Sequence, residues 1–467
     1  MSHKFHPTVL REYDIRGIIG ETLGADDARA IGRGFATLLR QAGGKKVAVG
    51  YDGRISSPML AHALCEGLTA SGCDVVDVGM GPTPMLYYAE ASSEEVDGGI
   101  QITGSHNPAN YNGFKMVFQG RPFFGEDIQE IGRLAAAGDW LDGTGTVETR
   151  EILDEYVTRL LVGLDGLPAE MLGKLRVGWD AGNGAAGPAL DLLAARLPGE
   201  HFTLYTDVDG NFPKHHPDPT MPENLEDLRK LVAEKNLDFG IAFDGDGDRI
   251  GAIDGEGRII WGDQLLMIYA EDLLGNRPGA TIIADVKASR ALFERVADLG
   301  GKPLMWKTGH SLIKSKMKET HAPLAGEMSG HVFFADTYYG YDDALYAAVR
   351  LIAASARLGK SVTEMRGAMP AVLNTPEMRF QVDESRKFAA IDEVKQRLAG
   401  TGADVNDTDG VRVTTRDGWW LLRASNTQDV LVARAESDSQ EGLDRLLKQI
   451  DEQLEASGLE RTQQAAH

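Results

Sequence analysis

Cysteine is nearly missing from this sequence: Cys65 and Cys73 are the only two in 467 residues, with no CxxC spacing. That excludes a disulfide framework and a cysteine zinc site. Long apolar runs are missing as well, and nothing approaches the roughly 18 uninterrupted apolar residues of a membrane span. The opening MSHKFHPTVLREYDIRG lacks the apolar segment of a secretory signal, which points to a reducing, cytoplasmic compartment. Basic residues are outnumbered, 48 Lys and Arg against 70 Asp and Glu, for a net charge of −22. A surface of that sign is unsuited to wrapping nucleic acid or lying on an anionic membrane, since both need basic stripes. A small anionic substrate is still allowed if Arg and Lys are gathered locally. Hydrophobic residues make up 42%, enough for real cores, so wholesale disorder is excluded. The length implies three or four domains.

Glycine is in excess, 55 residues against a usual share of about 7%. It clusters in GSHNPANYNG, DAGNGAAG, FDGDGDRIG and GEMSGH, where backbone can approach a ligand or take positive φ. Three stretches share one plan: a short apolar strand ending near Asp52, Asp180 or Asp285, an amphipathic helix, then a second β-rich run. Strand, helix and strand within about thirty residues is the βαβ signature of a parallel or mixed sheet. After Met369-Pro370 the pattern becomes strand–helix, paired strands, strand–helix. The expected fold is therefore three related α/β domains (1–151, 152–256, 257–369) and a smaller α+β domain (370–467) around a central cleft.

Four constellations carry chemistry. Ser105, in TGSHNP, leaves an apolar strand beside His106 and, further on, Lys115 in YNGFK. A serine there acts as nucleophile or phosphate carrier only if a neighbour activates it; otherwise this is a turn. Asp244, Asp246 and Asp248 alternate with glycines after FGIAF, and one divalent ion is the natural relief of their repulsion. An EF-hand fails, because Arg249 stands where that loop needs Gly and Gly255 where it needs Glu. Three carboxylates on a short loop suit Mg²⁺. GEMSGH, with KTGHS upstream, offers Glu327 and Ser329 for sugar hydroxyls and His310 and His331 for proton exchange. RASNT, with Arg423, Ser425, Asn426 and Thr427, matches a phosphate cradle.

Gly182-Asn183-Gly184-Ala185-Ala186-Gly187 fits the GxGxxG dinucleotide fingerprint, follows a strand, opens a helix and has Asp207 downstream. An NAD(P)-dependent oxidoreductase is therefore a rival reading, but it leaves Ser105, the Asp triplet and Arg423 unexplained. A nucleophilic serine, a Mg²⁺ loop and a distant phosphate cradle together point to phosphoryl transfer on a phosphorylated small molecule.

With LREYDIRG, TGSHNP, YNGFK, FDGDGDR, KTGHS, GEMSGH and RASNT in order, the chain resembles the α-D-phosphohexomutase superfamily, and within it the bacterial phosphomannomutase/phosphoglucomutase branch. The resemblance implies that Ser105 is the phosphoserine. It implies that Asp244, Asp246 and Asp248 bind one Mg²⁺ per chain, with an oxygen of phosphorylated Ser105 completing the shell. Lys115 and His331 would be the general acid/base groups, with Tyr13, Arg16, His106 and Arg249 lining the reacting end. Glu327 and Ser329 would hold the sugar, helped by Lys287 and His310, and Arg423, Ser425, Asn426 and Thr427 the non-reacting phosphate. The implied reaction moves phosphate between O1 and O6 of hexose phosphates through a hexose 1,6-bisphosphate, by a chain for which a monomer is favoured. A phosphoglucosamine mutase is the alternative, though that branch more often carries an Ala-Ser-His-Asn-Pro loop and Gln where Met328 stands. A catalytically dead sugar-phosphate sensor is disfavoured by the intact Ser105 and Asp triplet.

Overall fold

The structure, a computed structural model, describes residues 2–426 and 429–461. Their strands form four sheets. In the first three, the expected βαβ units are present and parallel. Lys46–Tyr51, the helix Ser57–Ala70 and Asp74–Met80 make one. Arg176–Asp180, Gly187–Arg196 and Glu200–Leu204 make the second, and Thr281–Asp285, Arg290–Asp298 and Lys302–Trp306 the third. Pro58 in the first helical turn, and the Ser289 hydroxyl accepting from Ala291 N at 3.1 Å, start two of these helices where the sequence signals a start.

Each unit then adds a strand parallel to its first one and on the side opposite the crossover: Gly98–Ile102, Phe239–Phe243 and Leu324–Gly326. Each of these turns back into an antiparallel neighbour, Tyr111–Phe118, Ile250–Asp254 or Val332–Phe334. The turn between them is the same connection three times over. It carries Ser105 in the first unit, the Asp244–Asp248 loop in the second and the Glu327–Gly330 loop in the third. All three lie beyond the carboxyl ends of parallel strands, where open α/β sheets bind ligands. The strand Ile259–Ile260 pairs with Ile250–Asp254, so the second sheet runs on past residue 256.

The fourth sheet is antiparallel throughout and is covered by the helices Glu384–Leu398 and Gln440–Ala456. Its core, around Trp420, Leu422, Leu431 and Leu446, is separate from those of the other units. A single apolar cluster instead runs from Trp179 and Phe239 of the second unit to Leu266 and Leu351 of the third, and reaches Tyr87 of the first. Each such fully buried side chain contributes about 1.5–3 kcal/mol, so the second and third units hold each other firmly. Among the described residues, no helix is long and apolar enough to cross a membrane.

Candidate active site

Ser105 is 2% exposed and takes a left-handed backbone, φ +50°. Its hydroxyl donates to Asp244 Oδ2 at 3.1 Å and lies 3.3 Å from His106 Nδ1. The two loops are pressed together: a Cβ on Gly245 would stand 2.5 Å from the Ser105 carbonyl oxygen, so only glycine fits between the first two carboxylates. Asp244 Oδ1 accepts the backbone N–H groups of Asp248 and Arg249, each at 3.1 Å, which folds the acidic loop back on itself.

Asp244, Asp246 and Asp248 are fully buried, with one oxygen from each within 4.8 Å of the others. Asp246 Oδ1 and Asp248 Oδ1 have no hydrogen-bond partner. Hard, buried, unpartnered oxygens from three carboxylates fit a divalent cation, so the expected metal residues fit the group. Lys115 supplies positive charge: its ammonium donates to Asp246 Oδ2 at 2.7 Å and also to Asp248 Oδ2. Burial would lower the Lys115 pKa, but Asp246 and Asp248 outweigh it and raise it, so Lys115 is a firm cation. Burial pushes the Asp244 carboxyl up, and Asp246 and Asp248 add to that. Asp246 itself is held low, because Lys115 and the Thr83 hydroxyl (2.5 Å) outweigh its burial.

The third loop joins directly. Arg249 donates Nε–H to His331 Nε2 at 3.0 Å, and the two residues also form an isolated β-bridge. With Nε2 accepting, the neutral ring carries its proton on Nδ1, which lies 3.0 Å from Asp342 Oδ2. His310 stacks on His331 with centroids 5.5 Å apart, and Lys314 donates to Asp342 at 2.9 Å. Burial, with Lys314 nearby, drives the His310 pKa well down, so that ring is neutral. Burial together with the cations Arg249 and Arg16 does the same to His106. Glu327 accepts Gly309 N–H at 2.7 Å, its carboxyl raised chiefly by burial, and Ser329 is half-buried in the same turn.

The expected residues come together as one continuous path, with two reassignments. Tyr13 does not line the Ser105 end with Arg16. Its hydroxyl donates to the Thr308 carbonyl at 3.1 Å and accepts from Asn426 Nδ2, which places it beside the fourth loop. Arg16 remains at the serine end, where it pairs with Asp14 and its charge reaches His106. Lys287 does not turn to the sugar loop: it donates to Glu377 at 3.0 Å, with Asp285 at 3.8 Å, and so ties the third unit to the segment entering the fourth. Arg423 donates to Asp409 at 3.0 Å, and Asp409 also accepts Thr308 N–H at 3.0 Å. Ser425 is buried beside it, and Thr427 lies outside the described residues.

Sequence reading missed Thr83, Asp342 and Asp409, each joined to its partner only by the fold. The Gly182 cluster is no dinucleotide cradle. Gly182 N–H is satisfied by Asp180 at 2.8 Å, and its Cβ would meet Pro217 and His215 at 3.2–3.3 Å.

Comparison with known proteins agrees with this layout. The descriptions "Phosphoglucomutase/phosphomannomutase, alpha/beta/alpha domain I", II and III match residues 7–142, 154–257 and 261–372, and the C-terminal domain of the same family matches 377–453. A phosphomannomutase/phosphoglucomutase of Pseudomonas aeruginosa is 45% identical over 449 residues, 96% of each chain. A phosphoglucomutase of Neisseria meningitidis is 42% identical over 96% of this chain and 97% of its own. The crystal structure of a phosphoglucomutase/phosphomannomutase family protein from Burkholderia thailandensis superposes with a TM-score of 0.91 at 44% identity, covering 97% of this chain and 98% of the other.

Proposed function

Because this chain belongs to the phosphoglucomutase/phosphomannomutase family, we propose that it shifts a phosphoryl group reversibly between O1 and O6 of glucose and mannose phosphates, with Ser105 as carrier. The observation that carries this reading is the buried Ser105 hydroxyl bonded to Asp244, beside Asp246 and Asp248 oxygens that no protein donor reaches. Mg²⁺ held by Asp244, Asp246 and Asp248 would offset the negative charge gathered around the transferring phosphoryl group.

In each half-reaction one P–O bond forms as another breaks. The phosphoryl group leaves Ser105 Oγ for a sugar hydroxyl, giving a hexose 1,6-bisphosphate. That intermediate turns end for end, and its other phosphoryl group returns to Ser105. The attacking hydroxyl must lose a proton and Ser105 Oγ must gain one. His331 suits the first task, since its Nδ1–H tautomer keeps a lone pair on Nε2 and Asp342 at 3.0 Å stabilises the imidazolium that forms. Lys115 suits the second, since its carboxylate neighbours keep it protonated until a proton is needed. The two exchange roles on the return. Glu327 and Ser329 hold the sugar hydroxyls, while Arg423, Ser425 and Asn426 grip the phosphate at the far end, with Tyr13 bracing Asn426. All these groups come from one chain, so a monomer suffices.

The test is ³¹P NMR of the protein with Mg²⁺, trace glucose 1,6-bisphosphate and the 1-phosphates of glucose, mannose and glucosamine together. Loss of the glucose and mannose C1-phosphate signals with growth of C6-phosphate signals is the expected result. Conversion of glucosamine phosphate alone would move the chain to the other branch, and no conversion by a folded sample would overturn the reading.

A further inference from the structure

Ser105 holds a left-handed backbone that L-residues adopt rarely, and something must impose it. The groups that do so converge on Arg54. This arginine is 1% exposed and donates Nη2–H to the carbonyls of Ser105 (2.7 Å) and Asn107 (2.6 Å), and Nη1–H to those of Pro108 (2.5 Å) and Tyr111 (3.0 Å). Its Nε–H goes to Asp52 at 3.1 Å. The five-donor guanidinium fork thus meets five acceptors, four of them consecutive turns of the nucleophile loop. Asp52 holds the entry to that loop, accepting Thr103 Oγ1–H at 2.8 Å and Gly104 N–H at 3.1 Å. The fit is tight: a Cβ on Gly104 would stand 2.4 Å from the guanidinium.

The other face of Arg54 belongs to the second unit. The Phe212 ring lies over the guanidinium, 5.3 Å from its centre, and a Cβ on Gly210 would stand 2.7 Å from Arg54 Cα. The cation that shapes the serine loop is therefore covered by the same unit that supplies the acidic loop facing Ser105.

We infer that Arg54 is a positioning residue for phosphoryl transfer: it fixes the Ser105 backbone so that Oγ meets the acidic loop, and Phe212 transmits the seating of the second unit to it. The inference rests on Ser105 being the phosphoryl carrier. A buried cation is poor insulation for a core, since replacing buried ion pairs by apolar groups is often neutral or stabilising, so stability alone does not account for it. Lysine keeps the charge but has three donors without the planar fork, and so cannot meet the four carbonyls.

The experiment is Arg54→Lys, with two readouts: steady-state kinetics on glucose 1-phosphate, and the rate at which glucose 1,6-bisphosphate phosphorylates dephosphorylated Ser105, followed by intact mass. In that second step the Ser105 Oγ–P bond forms as a sugar O–P bond breaks, and the Oγ proton passes to the departing sugar oxygen. Misplacing a reacting atom by about 1 Å can cost about 100-fold, so kcat and the phosphorylation rate should fall together by about that factor with KM unchanged. Parental kcat in R54K, or a change in KM alone, would overturn the role while leaving the carrier assignment intact. An inactive parent would instead remove the functional reading itself. Should R54K fail to fold, Phe212→Ala decides: it leaves every Arg54 hydrogen bond in place, and a several-fold drop in kcat at constant KM is expected, whereas unchanged kcat overturns the coupling.

Discussion

Lys115 provides the most quantitative test of the site, because it is the cation nearest the carboxylates proposed to bind metal. The perturbation is Lys115→Met, which keeps much of the side-chain volume and deletes the charge. Lys115 is 4% exposed and its two partners, Asp246 and Asp248, are fully buried. Removing one member of a buried ion pair typically costs about 3–5 kcal/mol, because the remaining charge is left in low dielectric. Here two carboxylates lose a shared partner and a third, Asp244, stands beside them, so the upper part of that range is expected in chelator. Divalent metal should then replace what was deleted. A ligand at about 100 times its Kd stabilises by about 2.7 kcal/mol if it binds only the folded chain. The assay is denaturant unfolding followed by circular dichroism, in EDTA and across a Mg²⁺ titration, for parent and variant side by side. The parent should respond weakly to metal and the variant strongly, with the gap between them closing as Mg²⁺ rises. A variant within about 0.5 kcal/mol of the parent in EDTA, the scatter of a neutral surface change, would refute the reasoning. Equal stabilisation of both proteins by Mg²⁺ would also refute it, because Lys115 would then not be standing in for the metal.

Ser105→Ala should abolish nearly all turnover while glucose 1-phosphate still binds by calorimetry; full activity would remove Ser105 as carrier. Asp343 is buried at the start of the helix Ala344–Leu358, accepting from Tyr156, Tyr338 and Tyr346 N–H, and burial pushes its carboxyl up to about 7. Its folded form keeps a proton that the unfolded chain has already lost. This contribution is therefore complete below the ordinary carboxyl pKa and disappears as pH rises through about 7, by at most about 1.4 kcal/mol per pH unit. Asp343→Asn should flatten that slope between pH 5 and pH 8, roughly the window of the shift, and parallel stability curves for parent and variant would sink the assignment. Arg423→Ala should chiefly raise KM for glucose 1-phosphate by loosening the distal grip, and a change confined to kcat would show the role to be wrong.

Much of this was legible in the sequence because the relevant signals are local. A short apolar run followed by Asp marks the strand ends at Asp180 and Asp285, and the position just after Tyr51, in all three parallel units. The glycine-spaced carboxylates and the serine turn announce their chemistry within a few residues. What stayed hidden depends on contacts across long sequence distances. Thr83 meets Asp246 163 positions away, and Arg249 meets His331 82 positions away. No local pattern encodes either. Tyr13 was misplaced for the same reason: proximity to Arg16 in sequence suggested a shared location, but alternate residues of an extended segment face opposite ways. Lys287 looked like a free sugar-binding cation until the fold supplied Glu377. Arg54 resembles any surface arginine in sequence, and only the geometry of loop 105–111 shows its five donors occupied.

The connection that recurs in the first three units has a consequence for how such a protein can change over time. In each unit the turn leaves a parallel strand and enters an antiparallel one, and both strands are pinned by sheet register rather than by the turn between them. The turns are therefore the places where residues can be exchanged without unmaking the scaffold. A threefold copy of one scaffold then offers three independent tracks for drift, on which one copy acquired a nucleophile, another a set of hard anions and the third a sugar-recognising carboxylate. Division of labour follows from repetition, and a graft between equivalent turns exchanges a chemical task while leaving the architecture alone.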